Sequence, residues 1–150
     1  MKENILIQGN NFDRARKEIR ENKNKTIVFS SNNNDLNRRI LEKEPIDILL
    51  LNQSSRKDRL KQRDSGFNQV LAKLAKKKNI VIGINLDEII SSKIKSKAEI
   101  LGRIRQNIKL CNKNKLNMKF ISSGKNKRSL YDLRALGLIL GMPTSMIKQL

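Results

Sequence analysis

Five short apolar runs, rich in β-branched residues and separated by stretches with helical spacing, limit this chain to a narrow set of folds. The runs are Ile5-Leu6-Ile7, Thr26-Ile27-Val28-Phe29, Ile46-Asp47-Ile48-Leu49-Leu50-Leu51, Ile80-Val81-Ile82-Gly83-Ile84 and Met118-Lys119-Phe120-Ile121. Their shortness and β-branching read as strands rather than buried helix. Between them, residues 12–21, 35–43, 65–77 and about 95–115 carry helical patterns, and a last one covers about 129–140. Such alternation means parallel strands joined by helical crossovers. The runs are apolar nearly throughout, as expected when both faces of a sheet are covered. No Pro/Gly/Ser-rich linker and no internal repeat divides the 150 residues, so the expectation is a single α/β domain over 1–150 with a modest core. The pattern alone does not choose between an open doubly wound sheet and part of a (β/α) barrel.

Charge narrows the partner. Lys and Arg number 33 against 14 Asp and Glu, a net charge of +19. That surplus is the electrostatic footprint of a polyphosphate partner, and points to nucleic acid. The bland account is a coding bias toward Lys, Asn and Ile, which does not explain the shortage of carboxylates. Four Phe, one Tyr and no Trp leave little to stack on bases, so phosphate and shape recognition is expected. The single cysteine, Cys111, follows Ile100, Ile104 and Ile108 along one helical face and reads as a buried apolar side chain. A lone thiol offers no disulfide framework. With a short apolar run at the N-terminus and no stretch of about 20 apolar residues, the expectation is a soluble cytoplasmic protein.

The segments that follow the strands are donor-rich. Gln8–Asn11, Ser30–Asn34, Asn52–Lys57 and Ser122–Arg128 contain no carboxylate, and only Asn85-Leu86-Asp87-Glu88 brings acid. The carboxyl ends of parallel strands carry the site in α/β folds, and amides, hydroxyls and helix N-termini there suit phosphate. Ordinary turn chemistry predicts the same composition.

Three blocks stand out. In the first, Ser54–Arg63 holds five cations, Arg56, Lys57, Arg59, Lys61 and Arg63, with one acid, and leads through Arg63-Asp64-Ser65-Gly66 into an amphipathic helix. Phe67, Val70, Leu71 and Leu74 make its apolar face. Asp64 or Ser65 is placed to cap that helix, and Gly66 to admit another backbone closely. The second block is Arg103-Ile104-Arg105-Gln106-Asn107-Ile108-Lys109-Leu110, in which Arg103 and Arg105 are two apart and point in different directions. The third is Ile121-Ser122-Ser123-Gly124 with Ser129-Leu130-Tyr131-Asp132-Leu133-Arg134-Ala135-Leu136-Gly137. Ser129 and Asp132 have near-capping-box spacing, making Asp132 structural, while Leu130, Leu133, Leu136 and Leu140 form a buried stripe. Arg134 lies off that stripe, Gly137 suggests close helix packing, and Gly141 with Pro143 marks a helix end.

Several chemistries are missing. There is no histidine, so there is no imidazole base and no His metal site. There is no GxGxxG, and Gly124-Lys125 lacks the upstream glycine of a P-loop. The acids Asp47, Asp64, Asp87, Glu88 and Asp132 are scattered, with no spacing that signals a magnesium site.

The three blocks, in this order, resemble ribonuclease P protein component 3, the barrel-fold protein subunit family of archaeal and eukaryotic ribonuclease P. The likeness rests on Arg63–Ala75, on Arg105–Leu110, and on Ile121–Gly124 with Tyr131–Ala135, so it spans half of the chain. It implies a partial, TIM-like and PHP-like (β/α) barrel of about five parallel strands without a metal site. It also implies a non-catalytic subunit that binds ribonuclease P RNA with a small partner protein and supports removal of the 5′ leader from precursor tRNA. Cofactors are expected on the catalytic RNA, as magnesium, and not on the protein. Arg63, Asp64, Ser65 and Gly66 fall on the family's turn, Arg105 and Asn107 on its helix motif, and Ser122, Ser123 and Arg134 on its last motif.

Two departures stand out: Leu130 replaces a common Pro, and fuller members have strand–helix units before the segment that begins here at Asn4. The barrel is therefore expected to be incomplete, with open edges unless another chain covers them. The RNA-binding set expected is Arg56, Lys57, Arg59, Lys61, Arg63, Arg105, Lys125, Lys127, Arg128 and Arg134. Asp64, Ser65, Gly66, Asn68, Asn107, Ser122, Ser123 and Asp132 are expected to support it. Two other readings share the charge: a ribosome-associated structural RNA-binding protein, and a carboxylate-dependent magnesium nuclease built on Asp64 or Asp87.

Overall fold

The computed structural model describes residues 2–150. Its elements run β1 (Asn4–Gln8), α1 (Phe12–Glu21), β2 (Thr26–Ser30), α2 (Asn34–Lys43), β3 (Ile48–Leu51), α3 (Gln69–Lys77), β4 (Val81–Asn85), α4 (Leu86–Ser91), α5 (Ile94–Lys113), β5 (Met118–Ile121), a 3-10 turn at Gly124–Asn126, α6 (Leu130–Leu140) and α7 (Thr144–Ile147). All five expected strands form, and all neighbours pair in parallel in the order β1-β2-β3-β4-β5.

That order decides what the pattern left open. A doubly wound sheet reverses direction at a switch point; this one never does. Each crossover advances one strand the same way, as in a (β/α) barrel. Among the described residues β1 and β5 each pair on one side only, so the sheet is an open arc of five strands.

The two faces differ accordingly. Ile27, Phe29, Leu49, Leu51, Ile82 and Ile84 point to the helices and join the main core with Ile19, Ile40 and Ile108. Val28, Ile48 and Leu50 point the other way and make a small cluster with Val81 and Ile121 on the face that corresponds to a barrel interior. Gly83 lies on that face, where an added Cβ would come within 3.1 Å of Ile48 and Leu50. Burying aliphatic side chains on both faces of β2, β3 and β4 is worth about 1.5–3 kcal/mol for each one fully covered.

Capping asparagines set where the helices start. Asn11 Oδ1 accepts from the amides of Asp13 and Arg14, Asn33 Oδ1 from those of Asp35 and Leu36, and Asn85 Oδ1 from that of Glu88. Part of the amide-rich composition after the strands is therefore helix capping. Helix α3 begins at Gln69, four residues later than its pattern suggests, because Asn68 is its cap and accepts from the Leu71 amide at 3.0 Å. Asp64 and Ser65 do not cap it. The late start also turns its face: Ala72 and Ala75 are buried with Phe67 and Leu71, whereas Val70 is 58% exposed. Short helix α4, absent from the sequence reading, fills the return from β4 and buries Leu86 and Ile89.

At the C-terminal end, Ser129 caps α6 by accepting from the Asp132 amide at 3.2 Å. Gly141 closes the helix in the left-handed conformation, φ +96°. A Cβ on Gly137 would meet Ile147 at 2.8 Å, which confirms the close packing expected there. The expected stripe is less buried than its spacing implies: Leu140 is covered, Leu133 and Leu136 are half-buried, and Leu130 is exposed. Cys111 is buried as expected, and burial pushes its thiol up to about 12.

Candidate nucleic-acid interface

At the carboxyl ends of β3 and β4 a chain of polar groups crosses the sheet. Asn52 Nδ2 donates to Ser30 Oγ at 2.7 Å, and Asn85 Nδ2 donates to Asn52 Oδ1 at 2.9 Å. Just beyond, the carboxylates in the first turn of α4 reach sideways to the neighbouring loops. Glu88 accepts from the amides of Gln53 and Ser54 at 2.8 and 3.1 Å. Asp87 accepts from the Ser123 amide at 3.0 Å and from Asn126 Nδ2 at 2.8 Å. The bonds from Asn126 and Ser123 hold the Asp87 carboxyl below its ordinary range.

Residues 52–68 form the larger of these loops, and a buried arginine organises them. Arg103, 2% exposed on α5, sends three bonds into the loop. Its Nε donates to Asp58 Oδ1 at 2.9 Å, one terminal nitrogen to the Gln53 carbonyl at 3.1 Å and the other to the Arg56 carbonyl at 2.8 Å. Asp58 also accepts from the Asp64 amide at 2.9 Å; that bond first, then the one from Arg103, holds the Asp58 carboxyl below its ordinary range. A second tie lies beside the first. Ser65 Oγ donates to Asn107 Oδ1 at 2.6 Å, and Gln53 Nε2 donates to the Ser65 carbonyl at 3.1 Å; all three side chains are buried. Buried polar groups that find partners in this way fix one loop conformation.

Gly66 has φ +72°, and Asp64 Oδ1 accepts its amide at 3.1 Å. A Cβ there would fall 2.5 Å from the Arg56 guanidinium. The close approach expected at Gly66 is thus made by a side chain rather than by a backbone. Arg56 is turned inward, donating from Nε to the Asn52 carbonyl at 2.6 Å and from its other nitrogens to Asn34 Oδ1.

The remaining cations of the loop face outward. Lys57, Arg59, Lys61 and Arg63 are exposed. Leu60 and Lys61 form the tip of a tight turn closed by backbone bonds between Arg59 and Gln62. Arg59 lies 3.5 Å from Asp64. Arg59 and Arg63, with Arg38 of α2 and the start of α3, line a cleft of about 550 Å³. Arg105 is exposed on α5, near Arg63 and away from buried Arg103, as their spacing implies. Lys125, Lys127 and Arg128 are exposed around the 3-10 turn on the far side of α4. Ser122 is half-buried. Arg134 is half-buried on α6, with a buried Nε that has no hydrogen-bond partner among the described residues. Asp132 is exposed and serves α6 through its amide and its place in the first turn.

The fold therefore brings the first two sequence blocks together; of the third, the loop after β5 lies one strand away and is tied through Asp87, while α6 packs against α5. Arg103 is the organiser that the sequence reading passed over. Its signal was present: Ile100, Arg103, Ile104, Asn107, Ile108 and Cys111 all lie on one buried stripe. A charged residue on such a stripe has an internal partner.

Comparison with known proteins agrees with this layout. The RNase P subunit p30 family model matches residues 12–150. Ribonuclease P protein component 3 of Methanococcus maripaludis is 27% identical over 139 residues, covering 91% of this chain and 56% of that protein. The same component of Methanothermobacter thermautotrophicus is 32% identical over 116 residues, covering 77% of this chain and 44% of that protein. A chain in a cryo-EM structure of archaeal Ribonuclease P with mature tRNA superposes with a TM-score of 0.81 at 25% identity, covering 97% of this chain and 62% of that one. The chain spans about half the length of the curated relatives it matches. It belongs to the RNase P subunit p30 family.

Proposed function

We propose that this protein is a non-catalytic subunit of ribonuclease P, which binds the catalytic RNA and supports removal of the 5′ leader from precursor tRNA. The observation that carries the reading is the loop of residues 52–68, held from beneath by Arg103, Glu88 and Asn107 and presenting Lys57, Arg59, Lys61 and Arg63 to solvent. Fixed cations of this kind neutralise phosphates without first having to be ordered. Arg105, Lys125, Lys127, Arg128 and Arg134 extend the basic surface, while Arg56, Asp64, Ser65, Gly66, Asn68 and Asn107 hold its shape. The partners are the ribonuclease P RNA, precursor tRNA and the other protein subunits, a small one among them. Magnesium belongs to the catalytic RNA. No helix among the described residues is long and apolar enough to cross a membrane, which fits a cytoplasmic ribonucleoprotein.

Asp87 and Glu88 bind backbone amides, and Asp64 binds the Gly66 amide, so these acids have structural roles that favour the subunit over a carboxylate-dependent nuclease. Purification from the native source in gentle salt, followed by sequencing of the bound RNA, tests the proposal. Ribonuclease P RNA recovered with 5′-leader cleavage is the expected result; ribosomal RNA alone, or no RNA, overturns it.

A further inference from the structure

We propose that the RNA-binding surface continues from the 52–68 loop into a groove along α5, walled by Arg63, Arg105 and Lys109, which holds consecutive phosphates of one RNA strand. The inference rests on the RNA-binding reading above and adds Lys109 and a defined path to it. The groove has a volume of about 590 Å³. Ala98, Leu101, Gly102 and Gln106 complete its lining, and none of its residues is acidic.

Two elements far apart in sequence build it. Gln106 Nε2 donates to the Arg63 carbonyl at 3.4 Å, tying the loop to the helix. The Arg63 guanidinium then lies against Gly102, where an added Cβ would be 2.8 Å from its carbon. Among the described residues Arg63, Arg105 and Lys109 form no ion pair, whereas Arg59 lies near Asp64 and Arg38 near Glu42. Three cations thus converge on one furrow without internal anions.

The kind of partner follows from the lining. Arg105 and Lys109 are one turn apart on the same side of α5, about 5–6 Å between Cβ atoms, a spacing comparable to that of neighbouring phosphates on one strand. A protein partner would need a buried anchor, and Ala98 and Leu101 offer little apolar depth for an aromatic or aliphatic one. An evenly charged backbone needs only the cations and room to lie down. The shortage of exposed aromatics fits contacts to phosphate rather than to base.

The test is a salt titration of the full chain binding an oligouridylate strand, over about 50 to 200 mM. Arg63→Ala/Arg105→Ala/Lys109→Ala is compared with Lys17→Ala/Lys73→Ala/Lys77→Ala, which removes the same charge from exposed positions of α1 and α3. The groove variant is expected to flatten the slope of log affinity against log salt by about 2, from about 0.7 per lost phosphate contact. The control is expected to stay near the parent, and Lys109→Ala alone to flatten the slope by about 0.7. Equal weakening by both triple variants means diffuse attraction and overturns the groove while leaving RNA binding intact. Unchanged binding by the groove variant overturns it too, and assigns the furrow to a protein partner or to solvent. A parent chain with no salt-dependent binding overturns the RNA reading itself.

Discussion

Two basic loops flank β4 at the same end of the sheet, and they are built differently. Residues 52–68 are held by a buried arginine, a buried Ser–Asn pair and the two-pronged grip of Glu88 on successive amides. Residues 122–129 hang from Asp87 and one short turn. Both present cations, but the first presents them on a fixed frame and the second on an exposed strap. A fixed frame sets where phosphates must sit, while a strap can follow them. The first turn of α4 makes the difference from a single dipeptide: Glu88 feeds the frame and Asp87 the strap.

The largest expected effect is on the frame. Arg103→Met leaves two carbonyls and the Asp58 carboxylate without their partner, and should lower the free energy of unfolding by about 3 kcal/mol in urea titrations. It should also weaken RNA binding although Arg103 itself is buried. Stability unchanged by this substitution would remove the distinction between the loops. Gly66→Ala comes next, because it forces a side chain into a left-handed conformation and against Arg56. A loss of about 1–2 kcal/mol is expected, with the same readout.

Acid should act on both loops. The folded chain depresses the carboxyls of Asp58 and Asp87. Their contribution is therefore full above the unfolded carboxylate value of about 3.9 and is lost as pH falls below it through the folded-state values. Asp87→Asn should remove part of the stability loss seen as pH falls below about 4, measured by thermal melting. An identical acid profile would show that the Asp87 carboxylate contributes nothing. The smallest stability effect belongs to Lys125→Ala/Lys127→Ala/Arg128→Ala, within about 0.5 kcal/mol, while its RNA binding becomes less salt-dependent.

Much of the frame was legible in the chain. The five apolar runs gave the strands, and the Arg63–Gly66 turn and Arg105–Leu110 marked segments that meet in space. Three features were not, for separate physical reasons. Helix α3 starts at Gln69 because Asn68 outcompetes Asp64 and Ser65, whose side chains are taken by Gly66 and Asn107. Helix α4 is only six residues long, too short for a periodic pattern to register. The strand order, which separates a barrel-type arc from a doubly wound sheet, lies in tertiary pairing and has no local signature.

Hydrogen exchange of the free chain tests the central claim most directly. The amides of Gln53, Ser54, Asp64 and Gly66, each bound to a carboxylate, should be protected in the parent. Their protection should be lost in Arg103→Met under conditions where the helices stay protected. If these amides already exchange like an unstructured segment in the parent, residues 52–68 are no fixed frame, and the account of how this surface meets RNA is wrong.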